Sequence, residues 1–224
     1  MTVLQDPELD KLLTELHEAS DRQLVTMMSD YQKLQDAGVR PDATQFKQYM
    51  RDKFVALDRD KAEFCYQVCR AIVARRIVEA GTSFGVSTLY LAAAVRDNIR
   101  CAGGSGMVIG SEHEADKARA ARALFQQARL DRLIDLREGD LRETLRQLDG
   151  PIDFMLVDIW IDMARPAVEL VSPHLRDGAI VICDNTEQYR SEYAGYMDFI
   201  KDPANRFRTM TLPFKGGLEM SVRC

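Results

Sequence analysis

Acidic side chains follow several short apolar stretches of the sequence, at points where they could bind a polar ligand. Glu79 and Glu112 follow two early stretches, and Asp158 and Asp184 close two later ones. Carboxylates accept hydrogen bonds from ligand hydroxyls and also coordinate hard divalent cations. In open α/β sheets, ligands bind over the carboxyl ends of the strands. If the four stretches are strands of one such sheet, these acids share one binding edge.

A glycine turn follows the first apolar stretch. Gly81 and Gly85 frame the turn, and Ser87 leads into residues 89–95, a run of good helix formers. Glycine lets the backbone approach a ligand closely, and free N–H groups at a helix start attract anionic groups. The G-x-x-x-G spacing differs from the dinucleotide fingerprint, and no Gly-Lys-Ser/Thr follows as it does in a P-loop. The segment is therefore predicted to be the opening strand, turn and helix of another kind of nucleotide-binding sheet.

The composition is that of an ordinary globular protein. Hydrophobic residues make up 46% and charged residues 29% of the 224 residues, which is enough for one sizeable core. The net charge of −5 gives no support for nucleic acid or an anionic membrane as a partner. No apolar run approaches the roughly 20 residues of a membrane-spanning helix. We therefore expect a cytoplasmic protein with no nucleic-acid or membrane partner.

The five cysteines are scattered without paired spacing. Cys65 and Cys69 lie four residues apart on a predicted helix, where they could bind a metal. Because no second pair of cysteines or histidines lies nearby, buried small side chains are the favoured interpretation. Reduced thiols fit a cytoplasmic location.

Residues 1–57 are predicted to form a helical arm, and residues 58–224 an α/β core, within one domain of residues 1–224. Asp6 followed by Pro7 marks a helix start. Apolar spacing predicts helices that include residues 9–16, 24–34 and 44–57, and then a fourth with Phe64, Val68, Ile72 and Val73 inward. The arm could be a cover on the flank of the sheet, or a substrate lid or dimer interface. We predict a homodimer that uses part of it.

The rest of the core is predicted to alternate strands with helices. Strands are expected at residues 107–111, 134–137, 153–158 and 178–184, and helices at 115–130 and 141–148. Asp140 precedes the second of these helices and can cap it. Two further strands, at residues 207–212 and 218–222, predict a terminal hairpin.

Two motifs together resemble those of a known family. Glu79-x-Gly81-x-x-x-Gly85-x-Ser87 resembles the first motif of class I S-adenosylmethionine (SAM) methyltransferases, particularly the small O-methyltransferases related to catechol O-methyltransferase. The more specific motif is Asp158-x-Trp160-x-Asp162, followed by Asp184-Asn185. The resemblance covers about residues 60–222. It implies a Rossmann-like α/β sheet, mostly parallel with an antiparallel C-terminal hairpin, behind an N-terminal helical extension.

The resemblance implies a set of SAM contacts. Gly81, Thr82 and Ser87 would hold the methionine end, and Glu112 the ribose hydroxyls. The adenine would lie near Asp140 and pack on Trp160, with Asp158 also lining the cofactor site. Two roles are open for Glu79, which would either orient the turn or reach the cofactor's ammonium group through water.

The resemblance also implies a metal centre. Asp158, Asp184 and Asn185 correspond to the family's ligands for one Mg²⁺, which also holds two substrate oxygens. Asp158 and Asp184 are thus the expected catalytic residues. One residue departs from the pattern, because Ile161 stands where the catechol-type enzymes carry a lysine as general base. Isoleucine cannot accept a proton, so the family's mechanism does not carry over completely.

The resulting hypothesis is SAM-dependent O-methylation of a small, aromatic or secondary-metabolite hydroxyl, assisted by Mg²⁺. One alternative is a metal-independent methyltransferase that acts on another nucleophile, such as an amine or carboxylate. Another is a SAM-binding protein without catalysis, whose helical arm is a partner interface.

Overall fold

One sheet lies at the centre of the computed structural model, which describes residues 3–40 and 42–224. Within these residues its strands are β1 (Arg76–Ala80), β2 (Met107–Glu112), β3 (Ile134–Glu138), β4 (Ile152–Val157), β5 (Leu175–Asp184), β6 (Phe207–Leu212) and β7 (Leu218–Arg223). The order across the sheet is β3-β2-β1-β4-β5-β7-β6. The first five strands pair in parallel, and β7 runs antiparallel to β5 and β6. The predicted mostly parallel sheet with an antiparallel terminal hairpin is confirmed.

Helices cover both faces of this sheet. They are α1 (Pro7–Asp36), α2 (Ala43–Met50), α3 (Arg59–Ala71), α4 (Val86–Ala102), α5 (Ala115–Gln127), α6 (Leu141–Thr144), α7 (Ile161–Val171) and α8 (Ala194–Lys201). Successive strand residues point to opposite faces, so Ile77 packs into one core with α3 and α4, and Val78 into another with α7 and α8. The strand order reverses between β1 and β4, where open α/β sheets leave a crevice for ligands.

The helical arm differs from its predicted pattern. The two helices expected around residues 9–16 and 24–34 form the single helix α1, because no glycine or proline interrupts the chain between them. Its buried residues end at Ser20, so its second half extends into solvent. The helix predicted over residues 44–57 is shorter, since α2 ends at Met50.

The predicted inward face of helix α3 is confirmed in part, because Phe64, Val68 and Ile72 are partly buried against the core, but a neighbouring face is buried more deeply. Lys61, Cys65 and Cys69, each four residues apart, are buried, whereas Val73 is 45% exposed. The small cysteine side chains allow α3 to pack on the alanine-rich helix α4. The favoured interpretation of the two cysteines as buried small side chains is therefore confirmed.

The remaining elements differ from the predictions mainly at their ends. Helix α5 ends at Gln127 and α6 at Thr144, earlier than predicted, and β5 begins at Leu175 rather than at residue 178. Within the described residues, no helix has both the length and the apolar character needed to span a membrane.

Candidate functional site

A cavity of about 580 Å³ opens at the carboxyl ends of β1, β2 and β4. Its volume falls in the range of about 300–1,000 Å³ that is usual for small-molecule sites. The predicted cofactor residues that line it are Gly81, Thr82, Ser87, Glu112, Asp140, Asp158 and Trp160. Sequence positions spread over some 80 residues therefore meet at one edge of the sheet, as the strand-end argument predicted.

The glycine turn forms the floor of this cavity. Gly81 has φ of +95°, and a β-carbon there would lie 2.0 Å from the carbonyl oxygen of Asp158. Gly85 adopts the left-handed conformation immediately before α4, and its β-carbon would lie 2.4 Å from the ring of Phe125. Only glycine fits both positions. The turn thereby directs the first residues of α4 into the cavity, where free N–H groups can face an anionic group.

Glu79 lies behind the turn rather than in the cavity. It is fully buried, and its carboxylate accepts hydrogen bonds from the hydroxyls of Thr82 (2.9 Å), Ser87 (2.7 Å) and Thr88. Burial raises the pKa of Glu79, while these hydroxyls oppose the rise. Of the two roles left open by the sequence, this arrangement fits the one that orients the turn.

Glu112 stands at the end of β2 with its carboxylate in the cavity wall. Its two oxygens accept hydrogen bonds from the backbone N–H groups of Ser83 (2.6 Å) and Glu114 (2.7 Å). These bonds fix the side chain, which is only 8% exposed. Each carboxylate oxygen retains capacity for another hydrogen bond, so Glu112 can accept bonds from ligand hydroxyls.

Trp160 and Asp140 also line the cavity. Trp160 is 38% exposed and meets the ring of Phe46 edge-on, at a centroid distance of 6.2 Å. Asp140 caps α6 and accepts hydrogen bonds from the backbone and side chain of Arg142. Pairing with Arg142 lowers the pKa of Asp140 to about 2, so this acid is ionised at neutral pH. An aromatic face beside a polar corner suits a planar heterocycle with exocyclic hydrogen-bonding groups.

The arm supplies the outer wall of the cavity. Lys47 of α2 pairs with Asp162 across the opening (2.9 Å), and Arg51 pairs with Glu114 on the other side (2.6 Å). Between them, Phe54 stacks at a tilt on Phe84 with a centroid distance of 4.8 Å. The sequence did not identify these lining residues, because nothing in the spacing of an exposed amphipathic helix shows which core element it faces.

The predicted metal ligands lie at the ends of neighbouring strands, and two of them, Asp184 and Asn185, are hydrogen-bonded to each other. Val157 pairs with Cys183, so Asp158, which follows β4, and Asp184, the last residue of β5, lie at the ends of adjacent strands. Burial, and then the charge of Asp184, raises the pKa of Asp158. The Asn185 amide nitrogen donates to Asp184 Oδ2 at 2.9 Å. Of the three, only Asp158 lines the cavity.

A buried lysine occupies the space beside Asp184. Lys61 Nζ lies 2.8 Å from Asp184 Oδ1 and 3.0 Å from Asp58 Oδ2. Burial alone would lower the pKa of Lys61, but these two carboxylates outweigh it and raise the pKa. Residues 3–40 and 42–224 contain no group of three His, Cys, Asp or Glu side chains arranged to hold a metal. As arranged, the predicted ligands do not fit a Mg²⁺ centre.

Lys61 was not among the site residues predicted from the sequence. It belongs to the charged run Asp58-Arg59-Asp60-Lys61, which is typical of a solvated first turn of a helix. One signal could have identified it: Lys61 is four residues before Cys65 and eight before Cys69, on the same face of α3.

Residues 78–186 match a protein family described as a methyltransferase domain. Catechol O-methyltransferase of Mycobacterium tuberculosis is 30% identical over 132 residues, which are 58% of this chain and 57% of that protein. Catechol O-methyltransferase of Niastella koreensis is 25% identical over 149 residues, or 59% of this chain and 64% of that protein. The chain thus spans about three fifths of the length of these curated relatives.

Solved structures share the fold at lower identity. An O-methyltransferase from Bacillus cereus in complex with SAH has a TM-score of 0.67 and 21% identity, over 86% of this chain and 96% of that one. The O-methyltransferase TomG from Streptomyces achromogenes, involved in tomaymycin synthesis and solved with SAM, has a TM-score of 0.65 and 20% identity, over 82% and 91%. These comparisons confirm the predicted resemblance to class I SAM-dependent O-methyltransferases.

Proposed function

We propose that this protein transfers the methyl group of SAM to a hydroxyl of a small, aromatic or secondary-metabolite substrate. The observation that carries the proposal is the meeting of the glycine turn, Glu112, Asp140 and Trp160 around one cavity. These residues offer groups for the three parts of SAM: the turn for the amino acid, Glu112 for the ribose, and Trp160 with Asp140 for the adenine. The catechol O-methyltransferase relatives support a hydroxyl as the methyl acceptor.

The cofactor contacts follow from the geometry of the cavity. The start of α4 would hold the methionine carboxylate, because its free N–H groups and helix dipole favour an anion. Glu112 would accept hydrogen bonds from the ribose hydroxyls, and Trp160 would stack on the adenine. Glu79 would act indirectly, by holding the hydroxyls of Thr82 and Ser87.

The substrate would enter between the cofactor and the arm. Met50, Phe54 and Phe84 provide an apolar wall there, which suits an aromatic ring. Asp158 lines the same cavity, so its carboxylate is the candidate to accept a hydrogen bond from the substrate hydroxyl.

Methyl transfer is an in-line displacement. A lone pair of the substrate oxygen forms the new O–CH₃ bond as the S–CH₃ bond breaks, and the hydroxyl proton passes to the Asp158 carboxylate, the candidate acceptor. The sulfur keeps the electron pair, and S-adenosylhomocysteine leaves. Catalysis then depends on approach, alignment and exclusion of water. We derive no step through Mg²⁺, because the Lys61 ammonium group lies 2.8 Å from Asp184 Oδ1.

The test is turnover of SAM with a panel of phenols and catechols, followed by mass spectrometry of both products. We expect S-adenosylhomocysteine and an O-methylated phenol in equal amounts. Asp158→Asn should reduce turnover, whereas Asp198→Asn, an exposed acid that does not line the cavity, should retain most of it. Methyl transfer only to amines would favour the rival methyltransferase, and binding of SAM without turnover would favour the non-catalytic alternative.

We also propose a homodimer formed through the second half of α1. Val25, Met28 and Tyr31 recur at three-residue intervals and are 69%, 72% and 54% exposed, an unusual apolar stripe on a helix surface. Light scattering should give a dimer for the wild type and a smaller species for Met28→Asp. Thr26→Asp, on the other side of the helix, is the matched control, and a monomeric wild type would exclude the dimer.

A cytoplasmic location is part of the same proposal. It is supported by the five cysteines, all of which are free.

A further inference from the structure

Lys61 is a deeply buried lysine that pairs with Asp184, one of the predicted metal ligands. Its side chain is 2% exposed and Asp184's is 5% exposed. Lysines are almost never fully buried unless they are paired, because removing an ammonium group from water is costly. Lys61 meets this requirement with two carboxylates, those of Asp184 and Asp58, at 2.8 and 3.0 Å.

The ammonium group of Lys61 lies beside a pair of carboxylates, whose negative charges favour a cation nearby. Asp158 and Asp184 follow adjacent parallel strands, and two carboxylates brought together at a buried edge repel one another. A positive group between the end of β5 and helix α3 offsets this repulsion. Helix α3 supplies that group from the first turn after the arm.

A divalent metal and Lys61 would compete for the same oxygen. Mg²⁺ binds oxygen ligands at about 2.0–2.1 Å, whereas Lys61 Nζ is 2.8 Å from Asp184 Oδ1. An ion on that oxygen would place two positive groups in contact. Asn185 does not direct its carbonyl oxygen towards Asp184. Its amide nitrogen faces Asp184, and its Oδ1 lies beside Gly216 instead.

We propose that the Lys61 ammonium group takes the place of a divalent metal at the Asp158–Asp184 edge of the sheet. Lys61 is then a positioning residue, which holds Asp184 and neutralises the edge that faces the substrate. As far as catalysis is concerned, this inference rests on the proposed methyl transfer, which would need no added metal. The occupancy of the site by Lys61 can be tested without any activity.

The first experiment measures Mn²⁺ binding to the full chain by electron paramagnetic resonance, after treatment with EDTA. The wild type should bind no Mn²⁺ at millimolar concentration, and Lys61→Gln should bind one ion per chain. Lys61→Arg keeps the positive charge and should bind none. One Mn²⁺ per wild-type chain that is lost in Asp184→Asn would overturn the proposal, and so would a folded Lys61→Gln variant that binds none.

The second measurement keeps the proposal testable if Lys61→Gln does not fold, as judged by circular dichroism. Wild-type turnover should be the same in EDTA as in Mg²⁺; abolition by EDTA and recovery with Mg²⁺ would overturn the proposal. In a folded Lys61→Gln variant, turnover should fall and then recover with added Mn²⁺, which a purely structural lysine would not produce. If no substrate is methylated under any condition, the proposed function fails while the Mn²⁺ measurement still decides the role of Lys61.

Discussion

The backbone of Gly81 is packed directly against the carbonyl oxygen of Asp158. A β-carbon on Gly81 would lie 2.0 Å from that oxygen, and φ at this position is +95°. The glycine turn on the floor of the cavity and the strand end that carries Asp158 are therefore in contact through main-chain atoms. A change at either one displaces the other.

Gly81→Ala should consequently destabilise the protein and weaken cofactor binding together. The left-handed backbone costs about 1–2 kcal/mol for a residue other than glycine, and the steric overlap adds about 1–3 kcal/mol. Gly38→Ala is the matched control, because Gly38 has φ of +70° but no atom within 4 Å of the added carbon. Urea unfolding and calorimetry with S-adenosylhomocysteine measure the two effects. Equal losses in both variants would show that strain alone is responsible.

Glu112→Gln should weaken binding of S-adenosylhomocysteine without unfolding the chain. The change keeps the shape of the side chain but removes its charge, and one amide end must then face a backbone N–H of Ser83 or Glu114. The expected loss is about 1–3 kcal/mol, a roughly 5- to 150-fold rise in Kd. Glu138→Gln, at the end of the neighbouring strand β3, serves as the control. Unchanged affinity in calorimetry would remove Glu112 from the cofactor site.

Trp160 provides a direct optical test of where the adenine lies. It is the single tryptophan in the chain and is 38% exposed. Stacking of adenine on its ring should quench the fluorescence, and methylthioadenosine, which lacks the amino-acid part, should do the same. Trp160→Ala should weaken binding by about 0.5–1.5 kcal/mol. A saturable binding curve by calorimetry with no change in fluorescence would place the adenine elsewhere.

Asp153 should contribute stability that depends on pH. It accepts hydrogen bonds from the backbone N–H groups of Arg75 (2.8 Å) and Arg76 (2.9 Å) and from the guanidinium of Arg176 (2.6 Å). Burial alone would raise the pKa of Asp153, but these donors outweigh it and lower the pKa below its usual 3.8. A carboxylate whose pKa is lowered by folding stabilises the protein above its unfolded pKa. This contribution is lost as the pH falls through the lower folded value.

Asp153→Asn should therefore be less stable than the wild type by about 1–3 kcal/mol at neutral pH. The difference should shrink as the pH falls below 3.8. The matched control is Asp177→Asn, whose carboxylate is 79% exposed and pairs with Arg206 at the surface. Urea unfolding over this pH range measures the difference, and a difference independent of pH would contradict the assignment.

The core could be predicted because its strands and turns have short-range signals. Apolar runs that end in Glu112, Asp158 and Asp184 correspond to β2, β4 and β5, since a parallel strand is buried on both faces. Glycines at 81 and 85 fix the turn for steric reasons that act within a few residues. These features determine the cavity floor almost completely.

The arm and Lys61 could not be predicted in the same way. Helix α1 is long because no glycine or proline interrupts it. Apolar spacing does not indicate this continuity, since the second half of the helix is exposed. The burial of Lys61 depends on a partner more than 120 residues away, Asp184, and no local pattern contains that information. The inward face of α3 was predicted only in part. Phe64, Val68 and Ile72 pack against the core as expected, but the more deeply buried Cys65 and Cys69 have weaker apolar signals.

Two ion pairs hold α2 against the cavity opening, and their strength determines how easily α2 moves away from it. Lys47 and Asp162 are 45% and 62% exposed, and Arg51 is 68% exposed. Exposed pairs of this kind contribute only about 0–1 kcal/mol each and weaken with salt. We therefore expect α2 to move away from the cavity without unfolding of the sheet. We therefore expect the residence time of a ligand in the cavity to depend on ionic strength more than on the stability of the core.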